Sequence, residues 1–202
     1  MEDEVTAFIR LAKAQLLESL KVKQALAEGD QLETMTEIAR SILECYRAGG
    51  KVIFVGNGGS AADAQHLACE LVGRFEMERS ALPAVALNVN SSIVTAVGND
   101  YGFDRVFARQ IEAWAKPEDV VVFISTSGNS SNVVEAIEAS KAIGAKTVGF
   151  TGRTGGRIRS MVDLCLQIPS DSTPRIQESH ITAGHIICSL VERAFFKGRI
   201  DG

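Results

Sequence analysis

The run Asp119-Val120-Val121-Val122-Phe123-Ile124-Ser125-Thr126-Ser127-Gly128-Asn129-Ser130 decides the fold. Its apolar part is continuous rather than alternating, the pattern of a strand covered on both faces. Its end turns polar and glycine-bearing at the mouth of a helical stretch, Ser130–Ile143. A strand feeding a helix in this way belongs to a βαβ rhythm, and the rhythm extends in both directions. Upstream, Lys51–Gly56 and Pro83–Val89 read as strands, with a helix over Ser60–Arg74 between them. Downstream come strands Lys146–Gly152 and Asp163–Pro169, then a long helix from Pro174 to about Lys197. The expectation is an α/β fold: a five-stranded parallel sheet flanked by helices in a three-layer, flavodoxin-like sandwich, with right-handed crossovers.

Residues 1–48 read differently, as an N-terminal helical pair ahead of the α/β core at 49–202, all within one domain spanning 1–202. Val5, Phe8, Ile9, Ala12, Leu16 and Leu20 follow helical spacing, and Met35, Ile38, Ile42, Cys45 and Tyr46 form a second stripe. Gly29-Asp30 breaks the two helices and Gly49-Gly50 ends the second. Such amphipathic helices need a surface to cover, either their own sheet or another subunit.

The bulk numbers exclude several classes. A formal net charge of −4 and no long basic run argue against nucleic-acid binding. No apolar run nears the roughly 20 residues that span a bilayer. The acidic start, Met1-Glu2-Asp3-Glu4, lacks the order of a signal peptide, so a soluble cytoplasmic protein is expected. Cys45, Cys69, Cys165 and Cys188 are scattered among apolar neighbours without a C-x-x-C pair, and read as small buried hydrophobes in a reducing compartment. Trp114 and the run Phe103–Phe107 read as packing.

Ligands of parallel sheets bind beyond the carboxyl ends of the strands, so the residues after each strand carry the chemistry. Gly56-Asn57-Gly58-Gly59-Ser60 opens a helix straight after the first strand. Glycines let backbone approach a ligand, and a helix N-terminus offers free N–H groups to an anion; the plainer role for Ser60 is a helix cap. Neither a Walker lysine nor G-x-G-x-x-G is present. Ser125-Thr126-Ser127-Gly128-Asn129-Ser130 sets four hydroxyls at a second helix mouth, where Ser130 or Ser131 would otherwise serve as a cap. Two such loops on one sheet point to a phosphorylated ligand. His66 and Glu70 stand four apart on the helix after the first loop and share a face. A buried carboxylate there would be raised toward the range useful for acid–base chemistry. The last helix carries His180 and His185, five apart and on different faces, between which spacing does not choose. His66, Glu70 and one of these histidines would suit a divalent metal such as zinc, although no tight ligand motif specifies one.

Taken in order, Gly56–Ser60, Asp63-Ala64-Gln65-His66 with Glu70, Val97-Gly98-Asn99-Asp100, Ser125–Ser130 and Arg175-Ile176-Gln177-Glu178 resemble the phosphoheptose isomerase branch of the sugar isomerase (SIS) domain family. The resemblance implies an aldose–ketose isomerase acting on sedoheptulose 7-phosphate, at the first step toward ADP-heptose for lipopolysaccharide, in a homotetramer with active sites shared between subunits. It implies that Ser60, Ser125, Thr126, Ser127 and Ser130 hold the phosphate, with Asn57, Gly58, Gly59, Asn99, Asp100 and Gln177 around the substrate. It makes Glu70 and His185 the acid–base pair, and His66, Glu70, Gln177 and His185 the ligands of zinc in members that carry it. Pro174 stands where some members have a carboxylate, which weakens any extra acidic contact from that loop. A related SIS-domain branch binds the replication initiator and regulates it without catalysis. His66, Glu70 and His185 together discriminate, since a scaffold has no need of them.

Overall fold

The segment Val120–Ile124 is strand β3 and is buried at every residue. The computed structural model describes residues 3–197; the ends of the expected 1–202 domain, Met1-Glu2 included, lie outside them. In chain order the other elements are α1 (Glu4–Glu28), α2 (Gln31–Arg47), β1 (Val52–Gly56), α3 (Gly58–Val72), β2 (Ala84–Ala86), α4 (Ser91–Tyr101) and α5 (Ala108–Trp114). After β3 come α6 (Ser131–Ile143), β4 (Lys146–Thr151), β5 (Leu164–Gln167) and α7 (Thr173–Phe196).

The strands lie in the order β2-β1-β3-β4-β5, all parallel, with Val52 against Val120 and Gly56 against Ile124. The chain winds one way from β1 and the other way from β3, so the topological switch point falls between them, where ligand crevices open. Strand pleat sorts the core into two layers. Val52, Phe54, Val122 and Phe150 pack with Ile38 and Ile42 of α2, Leu67 and Leu71 of α3 and Ile187 of α7. Ile53, Val55, Val121 and Phe123 pack with Ile111 of α5, Ile137 of α6 and Val97 of α4.

Several sequence expectations need correction. The second strand shortens from Pro83–Val89 to Ala84–Ala86, because Asn88 turns its amide to the Ala61 carbonyl (3.1 Å) and Asn90 caps α4. Helices α4 and α5 were not foreseen. Within the run read as packing, Val106 and Phe107 are buried, but Phe103 and Trp114 are 58% and 57% exposed. Of the cysteines, Cys45 and Cys188 are buried, Cys165 is half-buried, and Cys69 is exposed because Leu67, Ala68 and Leu71 take the inner face of α3. Of the two surfaces left open for the N-terminal helices, α2 takes the chain's own sheet. Helix α1 does not: Phe8, Ile9, Leu16 and Leu20 are all more than 60% exposed. No helix among the described residues is long and apolar enough to cross a membrane.

Candidate active site

The two polar loops meet at the switch point. Asn57, at the N-cap position of α3, and Asn132, in the first turn of α6, exchange side-chain amide hydrogen bonds of 2.8 and 3.0 Å. This reciprocal pair joins the ends of β1 and β3. Asn57, not Ser60, holds the cap position of α3; Ser60 sits inside the first turn, buried. Ser130 takes the cap position of α6, and its hydroxyl lies 3.2 Å from that of buried Ser125. Thr126 and Ser127 continue the loop into a cavity of about 210 Å³ that Arg153, Thr154, Ser170 and Thr173 also line. Hydroxyls and unpaired helix-start N–H groups thus converge where an anion is best received. Gln177 of α7 lies tight on the start of α3, since a β-carbon at Gly59 would overlap its side-chain amide.

Beyond the first turn, α3 presents Gly59, Asp63, His66 and Glu70 at spacings of three and four, which is one stripe. His66 Nε2 lies 3.1 Å from Glu70 Oε1 and 2.8 Å from His185 Nε2 across the α3–α7 contact. The ligand atoms of all three lie within 4.8 Å of one another. The Phe75 ring lies on the His185 imidazole with centroids 5.4 Å apart and planes 26° apart. Glu70's side chain is 19% exposed and that of His66 48%, so the group opens outward on one side. Asp63 escaped the sequence reading as a site residue. One of its carboxylate oxygens is buried without a hydrogen-bond partner, and burial raises its pKa while neighbouring His66 opposes the rise.

A metal fits this donor set. Ligand atoms on a tetrahedral zinc ion stand about 3.3 Å apart, and two imidazoles with a carboxylate are ordinary zinc donors. The 2.8 and 3.1 Å separations at His66 fall within about 0.5 Å of that spacing.

Helix α7 also separates the two histidines that spacing left open. His180 is fully buried, with Nε2 3.1 Å from the Thr151 carbonyl and Nδ1 without a partner. Burial pushes its pKa down to about 4, against the effect of that carbonyl. His180 is therefore a neutral core residue, and His185 is the one that meets Glu70's partner His66. An unfolded chain protonates His180 near its ordinary 6.5, so the unfolded state binds the extra proton between about 6.5 and 4. Stability is expected to fall through that window as pH drops, by up to about 3 kcal/mol from this group. Urea unfolding across the window should show a shallower slope for His180→Gln; an unchanged slope would refute the assignment.

Asn99 and Asp100 stand exposed near the end of α4, where the Asn99 amide donates to Asp100 (2.8 Å). The structure pairs them with each other, while Ser60, Ser125, Ser130, Asn57 and Gln177 gather at the strand ends, and His66, Glu70 and His185 gather one step along α3.

The SIS domain pattern matches residues 17–152. The chain is 56% identical to a phosphoheptose isomerase from Pelobacter propionicus over 180 residues, 88% of this chain and 95% of that protein. The chain belongs to the phosphoheptose isomerase branch of the SIS domain family. Among solved structures, a phosphoheptose isomerase from Neisseria gonorrhoeae is 42% identical with TM-score 0.86, covering 92% of this chain and 98% of its own. Another, from Francisella tularensis, is 34% identical with TM-score 0.88 and the same coverage. In the present chain, α7 with Gln177 and His185 lies beyond the segment that the SIS pattern matches.

Proposed function

We propose that Glu70 and His185 carry out the isomerisation of sedoheptulose 7-phosphate to D-glycero-D-manno-heptose 7-phosphate. The chain is an aldose–ketose isomerase, and the convergence of His66, Glu70 and His185 from two helices beside the strand-end loops carries this reading of its site. The reaction moves a proton between adjacent carbons through an enediol. Glu70 takes the proton from C1 of the ketose and returns it to C2. His185 gives a proton to the C2 carbonyl oxygen and accepts one from the C1 hydroxyl. Ser60, Ser125, Thr126, Ser127 and Ser130 hold the phosphate with the helix-start amides, while Asn57, Gly58, Gly59, Asn99, Asp100 and Gln177 serve the sugar. His66, Glu70 and His185, joined by Gln177, are the residues that would hold zinc, which when bound polarises the carbonyl oxygen.

The test is conversion of sedoheptulose 7-phosphate to the aldose, with added zinc and with chelator. Turnover that survives the chelator leaves polarisation of the carbonyl oxygen to His185; turnover that requires zinc means that the metal held by these residues would supply that polarisation. No conversion in either condition would overturn the reading and favour a binding regulator, which no observation supports at present.

The exposed apolar stripe of α1 supports a homotetramer with shared sites: Phe8, Ile9, Leu16 and Leu20 need a cover that the single chain does not give. Sedimentation is expected to find four chains per particle, and a monomer at micromolar concentration would contradict it. The free cysteines support a cytoplasmic setting, the phosphoheptose isomerase relatives support a place in lipopolysaccharide precursor synthesis, and the single continuous sheet supports reading residues 1–202 as one domain.

A further inference from the structure

Arg79 and Glu192 meet out of reach of solvent, with side chains 2% and 1% exposed and Nε 2.8 Å from Oε1. Both groups are fully engaged. Glu192 also accepts from the backbone amides of Phe75 (3.1 Å), Glu76 (2.8 Å) and Met77 (3.2 Å). Arg79 Nη1 donates to the carbonyls of Leu71, Gly73 and Ser80, and Nη2 donates to that of Glu70 (2.8 Å). Burial alone would raise the Glu192 carboxyl, but the amides of Glu76 and Phe75 and the Arg79 guanidinium outweigh it and hold the group below its ordinary value. A buried ion pair seldom stabilises a fold more than apolar residues of the same size would. What this one fixes is therefore the sharper question.

Its three attachments answer it. The Glu70 and Leu71 carbonyls belong to the last turn of α3, which has no intrahelical donors, so the Arg79 guanidinium is the cap of that helix, with positive charge at its negative end. Glu192 stands on α7 seven residues beyond His185, about two turns along the same face. The amides it collects carry Phe75, whose ring lies on His185. One buried pair thus holds the end of the helix bearing Glu70, the helix bearing His185, and the ring that orients His185.

We propose that Arg79 and Glu192 are positioning residues that set the distance between α3 and α7 and so the geometry of the His66–Glu70–His185 centre. The proposal rests on the reading of that centre as the catalytic one. Neither residue touches the reacting atoms; each acts through the helices it ties.

Arg79→Lys keeps the charge and loses the fork, and Glu192→Gln keeps the shape and loses the charge. Each is expected to lower kcat ten- to a hundredfold with KM within threefold, and to weaken zinc binding, titrated with zinc alone, by ten- to a hundredfold. Phe75→Leu leaves the ion pair intact and should cost about tenfold in kcat; it decides the matter if both pair variants fail to fold. Ile137→Ala, a buried change in α6 on the opposite layer, supplies a chain of lowered stability whose kcat and zinc affinity should stay at wild-type levels. Folded Arg79→Lys and Glu192→Gln chains with wild-type kcat and zinc affinity would overturn the proposal, as would an equal decline in Ile137→Ala. A wild-type chain inert toward sedoheptulose 7-phosphate would instead remove the functional reading, and the proposal with it.

Discussion

Glu70→Gln is expected to lower kcat for sedoheptulose 7-phosphate by about 10²- to 10⁴-fold, the range of a lost general base, while KM changes little. Glutamine keeps the length and hydrogen-bonding of the side chain, and glutamine and glutamate are similar helix formers, so α3 should stand. What is lost is the proton acceptor. KM is expected to be insulated because the residues proposed to hold the phosphate, Ser60, Ser125 and Ser130, stand at the strand ends, Ser60 more than two turns of α3 before Glu70. In deuterated water the wild-type chain should place solvent deuterium on the sugar carbon, and Glu70→Gln should place almost none. His185→Gln should show a drop of the same order. The double variant should fall little further than either single one if, as proposed, His185 and Glu70 act on one transition state; both touch His66. Near-normal turnover in either folded single variant would sink the assignment.

Gly128→Ala is expected to be among the most damaging single changes outside the reacting groups, costing about 2–5 kcal/mol and raising KM at least tenfold. Two effects add. Gly128 has φ of +66°, which costs an L-residue about 1–2 kcal/mol. A β-carbon there would also run into the Gly155 carbonyl, with the Gly156 nitrogen at 2.9 Å. Backbone cannot swing aside as a side chain can, so the 125–130 loop must move instead. It is pinned from the same segment, since the Arg157 amide donates to Asn129 Oδ1 (3.0 Å) and the Ile158 amide to the Gly128 carbonyl (3.1 Å). Gly144 separates the two contributions: it is left-handed at φ +90° and ψ 12°, yet a β-carbon there would meet only the Pro117 β-carbon, at 4.0 Å. Gly144→Ala should therefore lose only the conformational cost of about 1–2 kcal/mol. Denaturant unfolding of the two variants, with KM for each, tests this; equal losses would mean that the loop contact yields.

The central layer was readable because β1 and β3 are unbroken apolar runs whose glycine- and hydroxyl-rich ends face the switch point. Helices α4 and α5 were not, because Ser91–Tyr101 is short, interrupted by Gly98 and mostly exposed, and so leaves little periodic signal. The spacing of His180 and His185 left them equivalent; only the seating of α7 on β4 sends one to the Thr151 carbonyl and the other to His66. The resemblance chose His185, and the structure agrees for a local reason. Asn57 with Asn132 and Arg79 with Glu192 were invisible as pairs, since each spans scores of residues and neither partner has a pattern of its own.

The proposed grip on the phosphate and the groups proposed to move protons stand on different parts of the molecule. The first is built from the ends of β1 and β3, locked to each other by the Asn57–Asn132 pair; the second sits on the flank of α3 and on α7. Substitution on that flank can silence the chemistry without loosening the anchor. On the proposed assignment, a descendant of this chain that lost Glu70 and His185 is expected still to recognise a phosphorylated sugar. It could report on the sugar's abundance instead of consuming it, so an enzyme of this design stands a few side chains away from a sensor.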